Sequence, residues 1–150
     1  VMGLGMDASA ESLVALYVAG LCGLGYGLRQ IIETQAAHGV QISTISISGG
    51  AGTHPLTRQL LSDATGRPVE VTASPEPVLL GSAMLAAVAS RTYPDLQTAM
   101  PAMSAVIGRC APATGATGAL HQTRYQAFLR MQTLARQVRD EMQPLLAATA

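Results

Sequence analysis

The chain contains no lysine, and its nine arginines balance nine acidic residues, so that its formal net charge is zero. A phosphate-binding loop of the Gly-x-x-x-x-Gly-Lys-Ser/Thr type needs a lysine at the β- and γ-phosphates and is therefore excluded. Nucleic acids and anionic membrane surfaces are bound through basic patches, which a neutral chain with few charges does not provide. We therefore expect no nucleic-acid partner and no membrane partner.

Charged residues of both signs are scarce. They make up only 12% of the chain, against roughly 25% in ordinary globular domains. Large exposed apolar patches on a protein surface mark interaction sites. We therefore expect part of the surface to be covered by another domain or by a second copy in a homo-oligomer.

Cysteine and histidine are also few. Cys22 and Cys110 lie far apart in the sequence, which predicts neither a disulfide framework nor a metal knuckle. His38, His54 and His121 lack the spacing of metal ligands, so no metal site is expected. The start of the chain has no basic region of the kind that opens a secretory signal. These features predict a reduced, cytoplasmic protein.

A predicted strand, Ile42–Ser48, ends abruptly in a loop with almost no side chains, Gly49-Gly-Ala-Gly-Thr-His54, followed by Pro55. Glycine allows a backbone to take positive φ and to approach a ligand closely, and proline suits the first turn of a helix. The amides before that helix would face an anion above the strand end. The same residues also fit a tight α/β connection that binds no ligand.

The segments after the loop alternate between helix and strand. Leu56–Thr65 has apolar residues at helical spacing, and Gly66 is its expected C-cap. A strand is predicted over Pro68–Thr72, and a helix over Val78–Ser90, whose small residues would allow close packing. We interpret this order as a parallel unit with a right-handed crossover in an α/β fold.

Three motifs carry a resemblance to a known family. They are the Gly-Gly loop, the Asp-x-x-Gly-Arg-Pro-Val turn at Asp63–Val69, and the Glu-x-x-x-Leu-Gly-Ser-Ala run from Glu76. With them the chain resembles the carboxy-terminal ATP-binding domain of the FGGY carbohydrate kinases, and most of all the pentulose kinases of the ribulose or ribitol type. The resemblance implies part of an actin-like, ribonuclease-H-like ATPase domain, with mostly parallel strands and packed helices.

The resemblance also implies a binding site. Gly49, Gly50, Ala51 and His54 would contact the adenosine part of ATP, with Mg2+ carried on the phosphates. Family members commonly have Asn or Ser at the position of His54. The imidazole offers one donor and one acceptor, so it would either contact the nucleotide or cap the helix. The catalytic carboxylate of the family lies in the amino-terminal half. We therefore expect no catalytic residue in this chain.

Residues 1–150 would then be a fragment, a carboxy-terminal kinase domain that lacks its opening strands and the amino-terminal sugar-binding domain. The parent enzyme would be an ATP-dependent sugar kinase, which transfers the γ-phosphate of ATP to a hydroxyl of a pentulose or a related sugar or polyol. The fragment alone would at most bind nucleotide. The alternative is a non-catalytic α/β interaction or oligomerisation module in which the Gly loop is only a turn.

An uncharged run, Ser12–Leu28, is near the lower length limit of a membrane span. Its helical pattern continues through Arg29 to Glu33, which favours a core helix with one wet end. The run contains several glycines that weaken a helix by about 1 kcal/mol each relative to alanine, so close packing must compensate. These glycines are Gly20, Gly23, Gly25 and Gly27.

Two further helices are predicted toward the end of the chain. Tyr93–Val106 is interpreted as a short helix with Asp95 near its amino end, where a carboxylate is favoured. After a connector over Ala111–Gly118, residues 119–143 place an apolar stripe opposite four arginines. We interpret the arginine side as a solvated face and not as a phosphate patch.

Overall fold

The computed structural model describes residues 4–147 and divides the chain into two compact units, Val1–Ala113 and Thr114–Ala150. The first unit contains three strands and five helices among its described residues, and the second contains one long helix. In chain order the elements are α1 (Ala10–Ala37), β1 (Ile45–Ile47), α2 (Gly50–Thr53), α3 (Pro55–Thr65), β2 (Val69–Thr72), α4 (Pro77–Ala89), α5 (Leu96–Met103), β3 (Val106–Cys110) and α6 (Gly115–Ala147).

The strands form one small sheet in the order β1-β2-β3. β1 and β2 run parallel, with Ile45 opposite Val69, which confirms the predicted parallel pair in an α/β fold. β3 pairs antiparallel with β2, so that Cys110 also lies opposite Val69, and the sheet is mixed. The sequence did not predict β3, because Val106 was placed at the end of a helix that in fact ends at Met103.

Helix α3 has the ends that the sequence predicts. Pro55 occupies its first position, where a missing amide hydrogen costs nothing. Gly66 ends it in the left-handed conformation, with φ of 66°, and donates its amide hydrogen to the Ser62 carbonyl at 2.9 Å. Gly66 is a position where glycine is needed, because a β-carbon makes this backbone conformation costly.

Helix α1 packs against α3 and approaches it most tightly at Gly25, among the α1 glycines. An ideal β-carbon on Gly25 would lie 2.6 Å from the Ala64 β-carbon, so only glycine fits there. Cys22, Tyr26 and Ile32 are buried on the same helix. The close packing expected of the α1 glycines is therefore confirmed at Gly25. At the other three a β-carbon would meet nothing within 4 Å, namely at Gly20, Gly23 and Gly27.

Helix α1 is also long and apolar enough, by length and composition, to cross a membrane, a criterion that core helices and signal sequences also satisfy. The contact between Gly25 and Ala64 gives the helix a packed face within this unit, as a core helix requires. Other apolar side chains remain exposed on α1, among them Leu13, Tyr17, Leu24 and Ile31.

Helix α4 is rich in small residues. Its small residues would allow close packing, yet Gly81 has open space around it, and Ala83 and Ala86 are exposed. Met84 is its buried side chain among the described residues. The described part of the chain supplies no neighbour within 4 Å of a β-carbon at Gly81, so the close approach that its small size permits is not used there.

In the second unit, α6 begins at Gly115, earlier than predicted, so that the predicted connector is partly helical. The rings of Tyr125 and Phe128 stack one turn apart, with centroids separated by 6.4 Å. The arginines of the predicted solvated face are all exposed, and they are Arg124, Arg130, Arg136 and Arg139.

Candidate functional site

The Gly loop leaves β1 at Ile47 and turns at Gly49, whose φ of 75° and ψ of −169° lie in a region that is essentially restricted to glycine. The four residues of α2 follow as a single helical turn. It is closed by the Gly52 amide, which donates to the Gly49 carbonyl at 2.9 Å. The loop therefore has a defined backbone conformation, which requires glycine at position 49.

The loop has one packed face and one open face. Gly52 is buried, and an ideal β-carbon there would lie 3.4 Å from atoms of Ile47. Gly50 is exposed, its φ lies outside the left-handed region, and a β-carbon on it would meet nothing within 4 Å. Ala51 lies between them in the backbone of α2, and its side chain is outside the described part of the structure. The open face at Gly50 is where a ligand could approach the backbone.

His54 ends α2 and is the N-cap of α3. Its Nδ1 accepts a hydrogen bond from the Leu56 amide at 3.2 Å, which is the capping role that the sequence offered as one alternative. Because Nδ1 accepts, the neutral ring carries its hydrogen on Nε2, and the exposed ring edge is a donor. Contact between His54 and a nucleotide stays a prediction. In such a contact, the Nε2–H of His54 would donate a hydrogen bond.

Arg58 contributes to the loop in a way that the sequence did not indicate. Its side chain is half-buried, and Nη1 donates to the Gly52 carbonyl at 2.8 Å. In the sequence Arg58 stands within the helical pattern of Leu56–Thr65, and nothing there marks it as a loop contact. Its spacing of six residues from Gly52 carries no local signature, because the contact depends on how α2 turns into α3.

Helix α3 also holds the segment after β3. Gln59 Nε2 donates to the Ala111 carbonyl at 2.9 Å and to Asp63 Oδ1 at 2.8 Å. Asp63 Oδ1 also accepts from the Ala113 amide at 2.7 Å. Asp63, the first residue of that motif, thus anchors the backbone of the segment after β3, while the Gly loop is exposed at Gly50.

No residues of the candidate site form a metal centre in the described part of the chain, since residues 4–147 bring together no group of three or more His, Cys, Asp or Glu side chains that could hold an ion. His38 lies at the C-cap of α1, where its Nδ1 is 2.8 Å from the Thr34 carbonyl oxygen. His54 caps α3, as described above. These two histidines therefore have local roles at helix ends.

The sequence of the chain is similar to those of carbohydrate kinases. The sequence profile described as the FGGY family of carbohydrate kinases, C-terminal domain, matches residues 1–90, which contain α1 to α4 and the Gly loop. An FGGY carbohydrate kinase domain-containing protein from Xenopus laevis is 35% identical over 131 residues, covering 87% of this chain and 24% of the relative. A ribulokinase from Mycolicibacterium smegmatis is 36% identical over 87 residues, covering 58% of this chain and 16% of the relative.

The fold is shared with solved sugar kinases. The xylulose kinase from Lactobacillus acidophilus superposes with a TM-score of 0.71 at 15% sequence identity, covering 99% of this chain and 28% of that one. The architecture therefore has the actin-like, ribonuclease-H-like fold. The chain spans about a quarter of the length of the Xenopus relative.

Proposed function

Because the chain belongs to the FGGY family of carbohydrate kinases, as a carboxy-terminal domain, we propose that it forms the ATP-binding part of an ATP-dependent sugar kinase. The parent enzyme transfers the γ-phosphate of ATP to a hydroxyl of a pentulose or a related sugar or polyol. In such a transfer the protein acts mainly by positioning the reactants and by stabilising charge. This chain contributes to the positioning of the nucleotide.

The observation that carries the proposal is the open backbone face at Gly50. A ligand can come within contact distance of a glycine backbone because no β-carbon stands between them. The exposed Gly50 meets this condition, and the conformation of Gly49 turns the chain there. Gly49, Gly50 and Ala51 would contact adenosine through their backbone, and the Nε2–H of His54 would donate to an acceptor on the nucleoside.

Mg2+ is proposed as the companion of ATP. Mg2+ in kinases is usually held by the phosphates of the nucleotide, together with one or two carboxylates and water. In the proposed enzyme the ion would be carried on the phosphates of ATP. The carboxylate that takes the proton from the sugar hydroxyl would lie in the amino-terminal domain.

The pentulose class is supported by the names of relatives. Ribulokinase is the name of the Mycolicibacterium smegmatis relative, and a D-ribulokinase from Saccharomyces cerevisiae is 35% identical over 94 residues. Sugar contacts in the proposed enzyme would come from the amino-terminal domain, so substrate choice is a property of the whole protein. We propose a cytoplasmic location on the basis of the cysteine pattern of the sequence.

Exposed apolar side chains support a protein partner. On α4, Val78 is 80% exposed and Leu79 is 66% exposed, which is unfavourable for a surface that stays in water. We propose that the rest of the kinase covers part of this surface. A non-catalytic oligomerisation module would also use it, and nucleotide binding distinguishes the two functions.

The proposal is tested by calorimetric titration of the chain with MgATP, and with MgGTP to measure base selectivity. Gly50→Val is expected to abolish ATP binding, because the added side chain would occupy the place of the ligand, with little change in the free energy of unfolding. Gly108→Val is the matched control. Gly108 lies in β3, where a β-carbon also meets nothing within 4 Å, and valine suits a strand.

Binding that prefers ATP, and that is lost in Gly50→Val but kept in Gly108→Val, would support the proposed site. Equal ATP affinity in the two variants would remove the assignment of the Gly loop. Self-association without any nucleotide binding, in this chain and in the full-length protein, would favour the oligomerisation module.

A further inference from the structure

Arg58 connects the Gly loop to α3 through two hydrogen bonds to different residues. Its side-chain Nη1 donates to the Gly52 carbonyl at 2.8 Å, and its backbone amide donates to the His54 carbonyl at 3.3 Å. Arg58 lies in the first turn of α3, which is itself capped by His54. The guanidinium therefore reaches back over the start of its own helix to the preceding turn.

The loop needs such an external restraint. A single helical turn is unfavourable on its own, because several dihedral angles are fixed for one hydrogen bond. Here that bond is the one from Gly52 to Gly49, in a segment where glycine maximises the entropy lost on ordering. Packing of Gly52 against Ile47 holds the turn from the strand side, and Arg58 holds it from the helix side.

We propose that Arg58 is a positioning residue for nucleotide binding, which holds the turn Gly50–Thr53 in its binding conformation before the ligand arrives. The inference rests on the proposed function, since it concerns the same loop. A binding segment that is already ordered loses less entropy when the ligand binds, and its affinity is higher for that reason. A hydrogen bond from a charged donor to a carbonyl oxygen is among the stronger polar contacts in proteins.

The test measures the affinities of the chain for adenosine and for MgATP, at a temperature well below the unfolding midpoint of every variant. In Arg58→Met the aliphatic stem remains and the donors are removed. We expect affinity for both ligands to fall by the same factor, about tenfold, and exchange of the Gly52 amide hydrogen to accelerate in the free chain. Arg58→Lys keeps a cationic donor and should recover part of both effects.

Arg91→Met is the matched control. It removes the same charge, and Arg91 is exposed in the turn after α4. It should leave both affinities unchanged. Because adenosine has no phosphate, its affinity separates a positioning role of Arg58 from direct contact between Arg58 and the phosphates. A loss of affinity for MgATP alone would overturn the inference, because Arg58 would then act on the phosphates.

The failure of the inference can be told from the failure of the proposed function. If the unmodified chain binds both ligands and Arg58→Met binds them equally well, the positioning role is wrong and the proposed function stands. If the unmodified chain and the full-length protein bind neither ligand, the proposed function is wrong and the inference falls with it. A lower unfolding free energy in Arg58→Met with unchanged affinities would make Arg58 a purely structural residue, which also overturns the inference.

Discussion

A single carboxylate, Asp95, makes the stability of α5 dependent on pH. Its Oδ1 accepts hydrogen bonds from the Thr98 hydroxyl and from the Thr98 amide, both at 2.8 Å. These two bonds lower the pKa of Asp95 below its ordinary value, with the hydroxyl contributing most. Because the pKa is lower in the folded state, the stabilisation is fully present above the pKa of the unfolded chain. It is lost as the pH falls through the folded value.

As the pH falls from about 5 to about 3, we expect the free energy of unfolding to decrease less in Asp95→Asn than in the unmodified chain. Asparagine is an equally good N-cap and does not titrate in this range. The measurement is chemical denaturation across that interval. Glu76→Gln is the control, because Glu76 is the N-cap of α4 without a side-chain capping bond in the described structure. Equal changes of the pH slope in the two variants would contradict the assignment to Asp95.

Single residues also show where sequence reasoning succeeds. Gly66, Pro55 and Asp95 were predicted at the helix ends where the structure has them, because capping depends on neighbours within a few positions. Arg58 was missed as a loop contact, since its bond to Gly52 depends on how α2 turns into α3. His54 was left between two roles, and the structure supplies the capping geometry while the contact with nucleotide stays a prediction.

At the contact between α1 and α3, we expect alanine substitutions at two glycines to change the free energy of unfolding in opposite directions. Gly25→Ala would bring two β-carbons within 2.6 Å, so the helices must move apart, at a cost of about 1–3 kcal/mol. Gly27→Ala places its β-carbon in open space and should stabilise the chain by about 0.5–1 kcal/mol through helix propensity. Urea unfolding measures both variants.

Equal unfolding free energies for Gly25→Ala and Gly27→Ala would show that this contact does not set the distance between α1 and α3. The two positions lie two residues apart in the same helix, so that changes in the unfolded chain are closely matched. Their difference therefore reports on packing in the folded state.

The predictability of whole elements follows from how local their determinants are. The strands β1 and β2 and the helices α3 and α4 have apolar patterns with glycine or proline at their ends, and each was predicted within a few residues. β3 contains Gly108 and Arg109 in five residues, and its pairing with β2 is a contact distant in sequence. The short turn α2 has no apolar period at all, so its geometry depends on Gly49 and on packing against Ile47.

Several large apolar side chains of α1 are exposed, and exposed apolar patches favour association with another surface. Leu24 is 71% exposed, and we expect Leu24→Glu to reduce self-association of the chain, as measured by sedimentation velocity. Because Leu24 is mostly exposed, the unfolding free energy should change by no more than about 0.5 kcal/mol. Gln35→Glu adds the same charge at another exposed position of α1 and removes no apolar side chain.

Equal sedimentation behaviour of Leu24→Glu and Gln35→Glu would indicate that net charge, and not the apolar surface of α1, controls association. In the full-length protein the same substitution would instead report on whether another domain covers Leu24. A covered Leu24 would make the glutamate destabilising there.

Adjacent residues of α3 hold two separate stretches of backbone, Arg58 the turn before the helix and Gln59 the segment after β3. One residue inserted between Gln59 and Asp63 would rotate everything beyond it by about 100°. Asp63 would then no longer face the Ala113 amide, although every side chain of the helix was still present. Within this helix, evolution is therefore freer to exchange residue types than to change length, and insertions and deletions should accumulate outside Pro55–Thr65.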